Sequence, residues 1–245
     1  MTSPTVWTDG HLNRAAEWRR ECERRLQREL GELFTEGGEG KRAPSALREG
    51  APATLNRWRK AFAGPPRSNP VLAMPIANIL GDLGEGRQAR RWEEAIHYGL
   101  GLFAVHQQSK DAPMHVPAER GQAGFSLGSA CRELARRKAG ELEKREYPPQ
   151  LPQHESVNRG LVRRLDAAVG AGSTREAVQH VRGLIPLLKA EDIALDHGRL
   201  ITALAESGDP ARRGRVGYGW SRDFYRPLPA PARDGAASED DDSKE

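Results

Sequence analysis

STREAVQHVRGLIPLLKAEDIALDHGRLITALAE, running from Ser173 to Glu206, decides the fold. Ala177, Val181, Leu184, Ile185 and Leu188 recur at steps of three and four residues, so one helical stripe is apolar. Ser173 and Thr174 stand where a helix cap belongs, and Glu176 falls in the first turn. Pro186 is expected to kink this helix over 173–189. A second helix over 194–206 carries Leu195, Ile201 and Leu204. No stretch of the chain alternates apolar and polar residues in the manner of a strand.

The same period extends in both directions. Toward the N-terminus, a helix opens near Thr8 or Asp9 with the stripe Leu12, Ala15, Trp18, Cys22, Leu26, Leu30 and Leu33. Residues 35–50 read as a loop, 52–63 as a helix with Leu55, Trp58 and Phe62 inward, and 70–80 as a short helix that Pro75 breaks or delays. A helix over 88–107 places Trp92, Ile96, Leu100 and Phe103 on one face. The proline- and glycine-bearing stretch 109–124 is the candidate linker. Helix 126–138 turns Leu127, Ala130, Cys131 and Leu134 inward, 139–153 reads as a loop, and helix 155–169 has the stripe Val157, Leu161 and Leu165. The chain is therefore expected to be all-α, with a bundle over 1–120, a second over 121–228 and a disordered acidic tail over 229–245.

Charge narrows the partners. The chain carries a formal +4, but its last 17 residues hold six acids and two bases, which leaves residues 1–228 at +8. A basic body favours nucleic acid or an acidic protein, although arginines that are merely solvated would give the same balance. RRGRVGYGWSRDFYR, residues 212–226, concentrates five arginines and four of the chain's 14 aromatics. Trp220 and Phe224, four apart, share a helical face and read as packing anchors, whereas Tyr218 and Tyr225 remain open. Cys22 and Cys131 sit at apolar helical positions as buried free thiols, no run reaches the roughly 20 residues of a spanning helix, and no secretion signal is visible. A cytoplasmic protein without a membrane partner is the expectation.

Catalytic signals fail on context. GFSLG at 124–128 matches G-x-S-x-G, but no buried strand precedes it, and Ser126 reads as a helix N-cap. The seven histidines show no metal-ligand spacing, and His97 and His106 fall on opposite sides of one helix. GDLGEG at 81–86 lacks the Gly-Lys-Ser/Thr ending of a phosphate loop. No enzyme, metal or cofactor is expected.

Several landmarks occur in a recognisable order: TLNRWRKAF at 54–62, GLFAVHQ at 101–107, FSLGSACRELARRK at 125–138, VNRGLVRRLDAAV at 157–169, the long pair at 177–205 and RVGYGWSRDFYR at 215–226. In that order and spacing the chain resembles the CasB family, the small subunit of the type I-E CRISPR Cascade complex, over about residues 8–228. Pro186, the long 139–153 stretch and the acidic tail depart from that pattern. The resemblance implies a noncatalytic subunit whose copies stack beside other Cascade subunits. It would help to hold the guide RNA–target DNA hybrid and the displaced strand. Its cations would lie inside the matched motifs and off the apolar stripes: Arg57, Arg59 and Lys60; Arg132, Arg136, Arg137 and Lys138; Arg163 and Arg164; and, less centrally, Arg212, Arg213 and Arg215. Each reads equally as a solvated charge or a subunit contact. A purely structural spacer between subunits is the alternative role.

Overall fold

The computed structural model describes residues 9–35, 46–81, 86–117, 125–143 and 159–226, and the side chains at 9–15 and 139–143 are outside that description. The expected tail over 229–245, the bundle junction near residue 120 and most of the 139–153 loop lie outside the described residues. Nine α-helices and one 3₁₀ turn are present among them, with no named strand. The all-α expectation holds.

α1 (Asp9–Gly31) is described from Asp9, in keeping with the expected start near Thr8 or Asp9, and buries Cys22, Leu26 and Leu30. α2 (Ala51–Ala61) presents Leu55 and Trp58 inward. Asn69 caps the 3₁₀ turn Pro70–Leu72, after which α3 (Ala73–Leu80) starts late enough to place Pro75 in its first turn, where a missing N–H costs nothing. α4 (Arg87–Gln107) departs from the one-face expectation. Ala95 to Ala104 are buried on every side except at Tyr98, and this is the pattern of a helix wrapped by others. It packs on α2, on α3, and on α7 (Thr174–Ala190) and α8 (His197–Ser207). Two glycines permit the approach. A Cβ at Gly99 would lie 2.1 Å from Ile201 of α8, and one at Gly101 would lie 2.4 Å from Phe62. The helices of both expected bundles thus contribute to one connected set of buried residues. Burying a side chain such as Phe103 or Leu100 in it stabilises by about 1.5–3 kcal/mol.

The first half of the expected linker is stitched to that core. Gln107 donates to the carbonyls of Lys110 (2.9 Å) and Ala112 (3.1 Å) and accepts from Met114 N–H (2.8 Å). His115 then pairs in parallel with Leu195 as an isolated bridge. α5 (Leu127–Glu143) runs five residues past the expected stop at 138, because Ala139, Glu141, Leu142 and Glu143 favour helix, outweighing Gly140, and no proline intervenes. α6 (Arg159–Val169) packs closely beside α7, with Ser173 accepting from Glu176 N–H at 3.2 Å as the α7 cap. α7 runs unbroken through Pro186, which lies on the exposed side of the helix. Asp196 caps α8 through Arg199 N–H at 2.9 Å. α9 (Arg213–Tyr225) closes the fold against α5, α6 and α8.

Candidate nucleic-acid interface

Each predicted cation group has a distinct environment. On α2, buried Leu55 and Trp58 fix the helix rotation, which turns Arg57 and Lys60 outward and leaves Arg59 half-buried. Arg57 donates to Thr54 Oγ1 at 3.2 Å and Arg59 to Asn56 Oδ1 at 2.8 Å. Both acceptors are neutral, so the two bonds orient the guanidiniums without cancelling their charge.

On α5 the charges are engaged. Glu133 accepts two bonds from Arg136 (2.9 and 2.7 Å) and one from Arg137 (2.8 Å). The bond from Arg136, reinforced by Arg137, holds the Glu133 carboxyl well below its ordinary range, at about 2. Arg137 also donates to the Glu191 carbonyl at the end of α7, and Arg132 donates to the Arg226 carbonyl at 2.8 Å. Lys138 is half-buried. On α6, Arg163 and Arg164 are both exposed, and Arg164 donates to the Gly160 carbonyl at 3.0 Å. Before α9, Arg212 pairs with Glu206 at 3.2 Å, and Arg213 donates to the Ser207 carbonyl at 3.2 Å. Arg215 is exposed.

The structure also gathers cations that the sequence reading passed over. Around the last turn of α7 stand Lys189 on the helix, Lys110 from the segment after α4, Arg59 from α2 and Arg137 from α5. Lys110 pairs with Asp192, whereas Lys189 has two cations near it. Burial first, and then Lys110 and Arg59, push the Lys189 amine below the usual lysine range. The α7 C-terminus offers a partial negative charge, which accounts for some of this gathering. One turn pair earlier, Arg182 lies over the Phe62 ring at 5.1 Å from its centroid. Lys110 and Lys189 were missed because each is a single cation in its own segment. Only their shared neighbour gives them meaning.

Ser126 is the cap expected of it. It accepts from Ser129 N–H at 3.2 Å and donates to Asp223 at 2.7 Å. The free cysteines are buried as expected, and burial pushes both thiols up to about 12.

His106, His115 and His197 meet in the core, which their spacing did not reveal. His106 Nδ1 and His197 Nε2 share a hydrogen bond at 2.9 Å, and His115 Nδ1 accepts from His197 N–H at 3.2 Å. Burial holds His106 and His115 down to about 4 and pushes His197 well below the usual imidazole range. Backbone groups of Ile193 and Leu195 and the Asp196 charge favour the protonated rings of His106 and His115, but burial outweighs them. The three rings therefore stay neutral and serve as packing. Among the described residues no group of three or more His, Cys, Asp or Glu could hold a metal ion, and no helix is long and apolar enough to cross a membrane.

Residues 46–225 match the profile of the CRISPR-associated protein Cse2 family. CasB from Thermobifida fusca has a similar structure, at 24% identity and a TM-score of 0.56, over 84% of this chain and 97% of that one. CasB from Thermus thermophilus aligns over the same shares at 18% identity and a TM-score of 0.51. A second structure from Thermus thermophilus, described as a CRISPR-associated protein of the Cse2 family, aligns over the same shares at 19% identity and a TM-score of 0.52. At these identities the solved structures establish the fold alone. No curated protein matches the chain.

Proposed function

We propose, since the chain belongs to the CRISPR-associated Cse2 (CasB) family, that it is the noncatalytic small subunit of a type I-E Cascade surveillance complex. There it stabilises the guide RNA–target DNA hybrid and the displaced strand through basic helix faces. The observation that carries the subunit assignment is the family match over residues 46–225. Polyanion binding is supported by the cations around the α7 terminus, which come from four separated segments and stand near one another. A phosphate backbone would relieve that like-charge crowding without reading sequence. Arg57, Arg59, Lys60, Lys138, Arg163, Arg164, Arg213 and Arg215 form no ion pair with an acid among the described residues. They therefore supply the balance of available charge. An R-loop exchanges one duplex for another at nearly equal energy, so modest backbone contacts tip it.

The spacer reading has one observation in its favour, the engagement of Arg136 and Arg137 by Glu133. That engagement makes Arg136 and Arg137 the weakest candidates for nucleic acid and leaves the α2 cations and Lys189 as the stronger ones. The partners are the other Cascade subunits, a second copy of this chain, the guide RNA and the target DNA. The test is a complex assembled on its guide RNA with and without this chain. Omission is expected to lower retention of a target duplex by at least tenfold and to flatten the dependence of retention on salt. Equal retention and equal slope would reduce the chain to a spacer.

A further inference from the structure

The α9 helix has two unlike faces. Val216, Gly217 and Trp220 are buried, and Phe224 packs beside them. The seat is close: a Cβ at Gly217 would lie 3.0 Å from Val169 of α6, and one at Gly128 of α5 would lie 2.1 Å from the Trp220 carbonyl. The helix is thus held rigidly by α5 and α6, and its outer face is a fixed surface.

That outer face carries Arg215, Tyr218, Arg222 and Tyr225, which fall within an arc of about 80° at 100° per residue. Tyr218 is 70% exposed and Tyr225 66%, a large exposure for aromatic rings. Tyr225 meets Phe224 edge to face, with centroids 4.9 Å apart and planes at 89°, so its ring is oriented from the core side. Gly214 and Gly219 have nothing within 4 Å of a notional Cβ, which leaves the approach to Tyr218 open. Arg215 and Arg226 are exposed at the two ends of the helix, and Arg132 of α5 reaches the Arg226 carbonyl. Arg222 is also exposed and pairs with Asp223, whose other oxygen takes the Ser126 hydroxyl.

We infer that the outer face of α9 is a stacking platform for an unpaired single strand. Tyr218 and Tyr225 take bases, and Arg215 and Arg222 take the phosphates between them. Seven residues of helix separate the rings by about 10.5 Å, roughly three times the spacing of stacked nucleotides. Two bases of one strand can reach both rings only when that strand is splayed, which a duplex does not allow. A protein partner fits less well, because the rings are flanked by glycines, Ser221 and arginines rather than by an apolar surround that would exclude water. The alternation of exposed rings and cations matches sequence-tolerant single-strand binding. This inference rests on the nucleic-acid role proposed above and assigns it a place on α9.

The test uses the full chain, a labelled 15-nucleotide oligothymidine and a duplex of the same length. Tyr218→Ala with Tyr225→Ala is expected to weaken oligothymidine binding by about tenfold per ring, with the salt slope and duplex binding unchanged. Tyr218→Phe with Tyr225→Phe, which keeps both rings, is expected to stay within about twofold of the parent. Because both rings are exposed, the thermal midpoint should hold in every variant, which keeps folding out of the comparison. Parent binding with an unaffected alanine variant would overturn the platform and leave the wider reading standing. Equal loss on oligothymidine and duplex would also overturn it, as would loss of assembly with other Cascade subunits at intact single-strand affinity. A parent chain that binds neither DNA would also overturn the platform, and the wider reading would still stand or fall on the assembled complex.

Discussion

The helices α2 and α5 look alike as strings of cations and differ as surfaces. Arg57, Arg59 and Lys60 on α2 have neutral hydrogen-bond partners or none, so no acid cancels their charge; Arg57 and Lys60 face outward and Arg59 is half-buried. Arg136 and Arg137 on α5 converge on one carboxylate, and Arg132 and Arg137 reach backbone carbonyls of distant segments. In sequence, RRK at 136–138 is the stronger basic signal, with no acid inside the run. In the fold, Glu133 one turn earlier cancels part of it. The lesson is that cation density measures the charge a segment contains, whereas binding depends on the charge left after local pairing.

Three measurements bear on that difference. Arg57→Glu with Lys60→Glu should have the largest effect, lowering DNA retention by the assembled complex by more than about tenfold. The salt slope should fall by roughly 0.9 for each phosphate no longer neutralised. Reversal of Arg136 and Arg137 should weaken retention less; if it proved the larger loss, the ranking of the two faces would be wrong. Glu133→Gln is expected to act in the opposite direction. It removes the negative charge shared by the two guanidiniums, so DNA affinity should rise a few fold and the slope should steepen by roughly 0.9 for each phosphate newly neutralised. An unchanged slope would show that the α5 face never meets phosphate.

The smallest effect expected is that of pH. The Glu133 carboxyl is depressed from 4.5 to about 2 in the folded chain, chiefly by Arg136. A depressed carboxyl lends stability that is fully present above pH 4.5 and is lost as pH falls toward 2. The gap between parent and Glu133→Gln should therefore stay constant from pH 8 to pH 5 in paired DNA-binding titrations. A gap closing by pH 5.5 would mean that the pairing is weaker than its geometry indicates.

Much of the fold was legible. Ser173 and Ser126 sit at helix starts because short polar side chains accept from the free N–H groups there. Among the described residues, Cys22 to Leu33 of the first stripe, Leu161 and Leu165 of α6 and the whole α7 stripe are buried where their period put them, with Trp18 half-buried, while Leu12, Ala15 and Val157 lie outside the described residues. α4 was read too simply, because a helix buried on most sides has no single stripe to find. The end of α5 is hard to place from sequence because the prolines at 148, 149 and 152 mark a loop without saying how far the good helix formers before them extend. For the candidate site, Arg57, Arg59 and Lys60 were visible and Lys110 and Lys189 were not. The role of Tyr218 and Tyr225 stayed open until their exposure was known.

What the sequence determined by itself is the set of helices, their caps and their inward stripes. Those properties rest on neighbours within four residues, so they are written locally. What only the tertiary structure decided is which charges are available and which groups meet. Arg137 reaches Glu191 across 54 residues, and His106 meets His197 across 91. Coulomb and hydrogen-bond energies depend on distance in space and on burial, and neither is encoded in the spacing of residues along a helix.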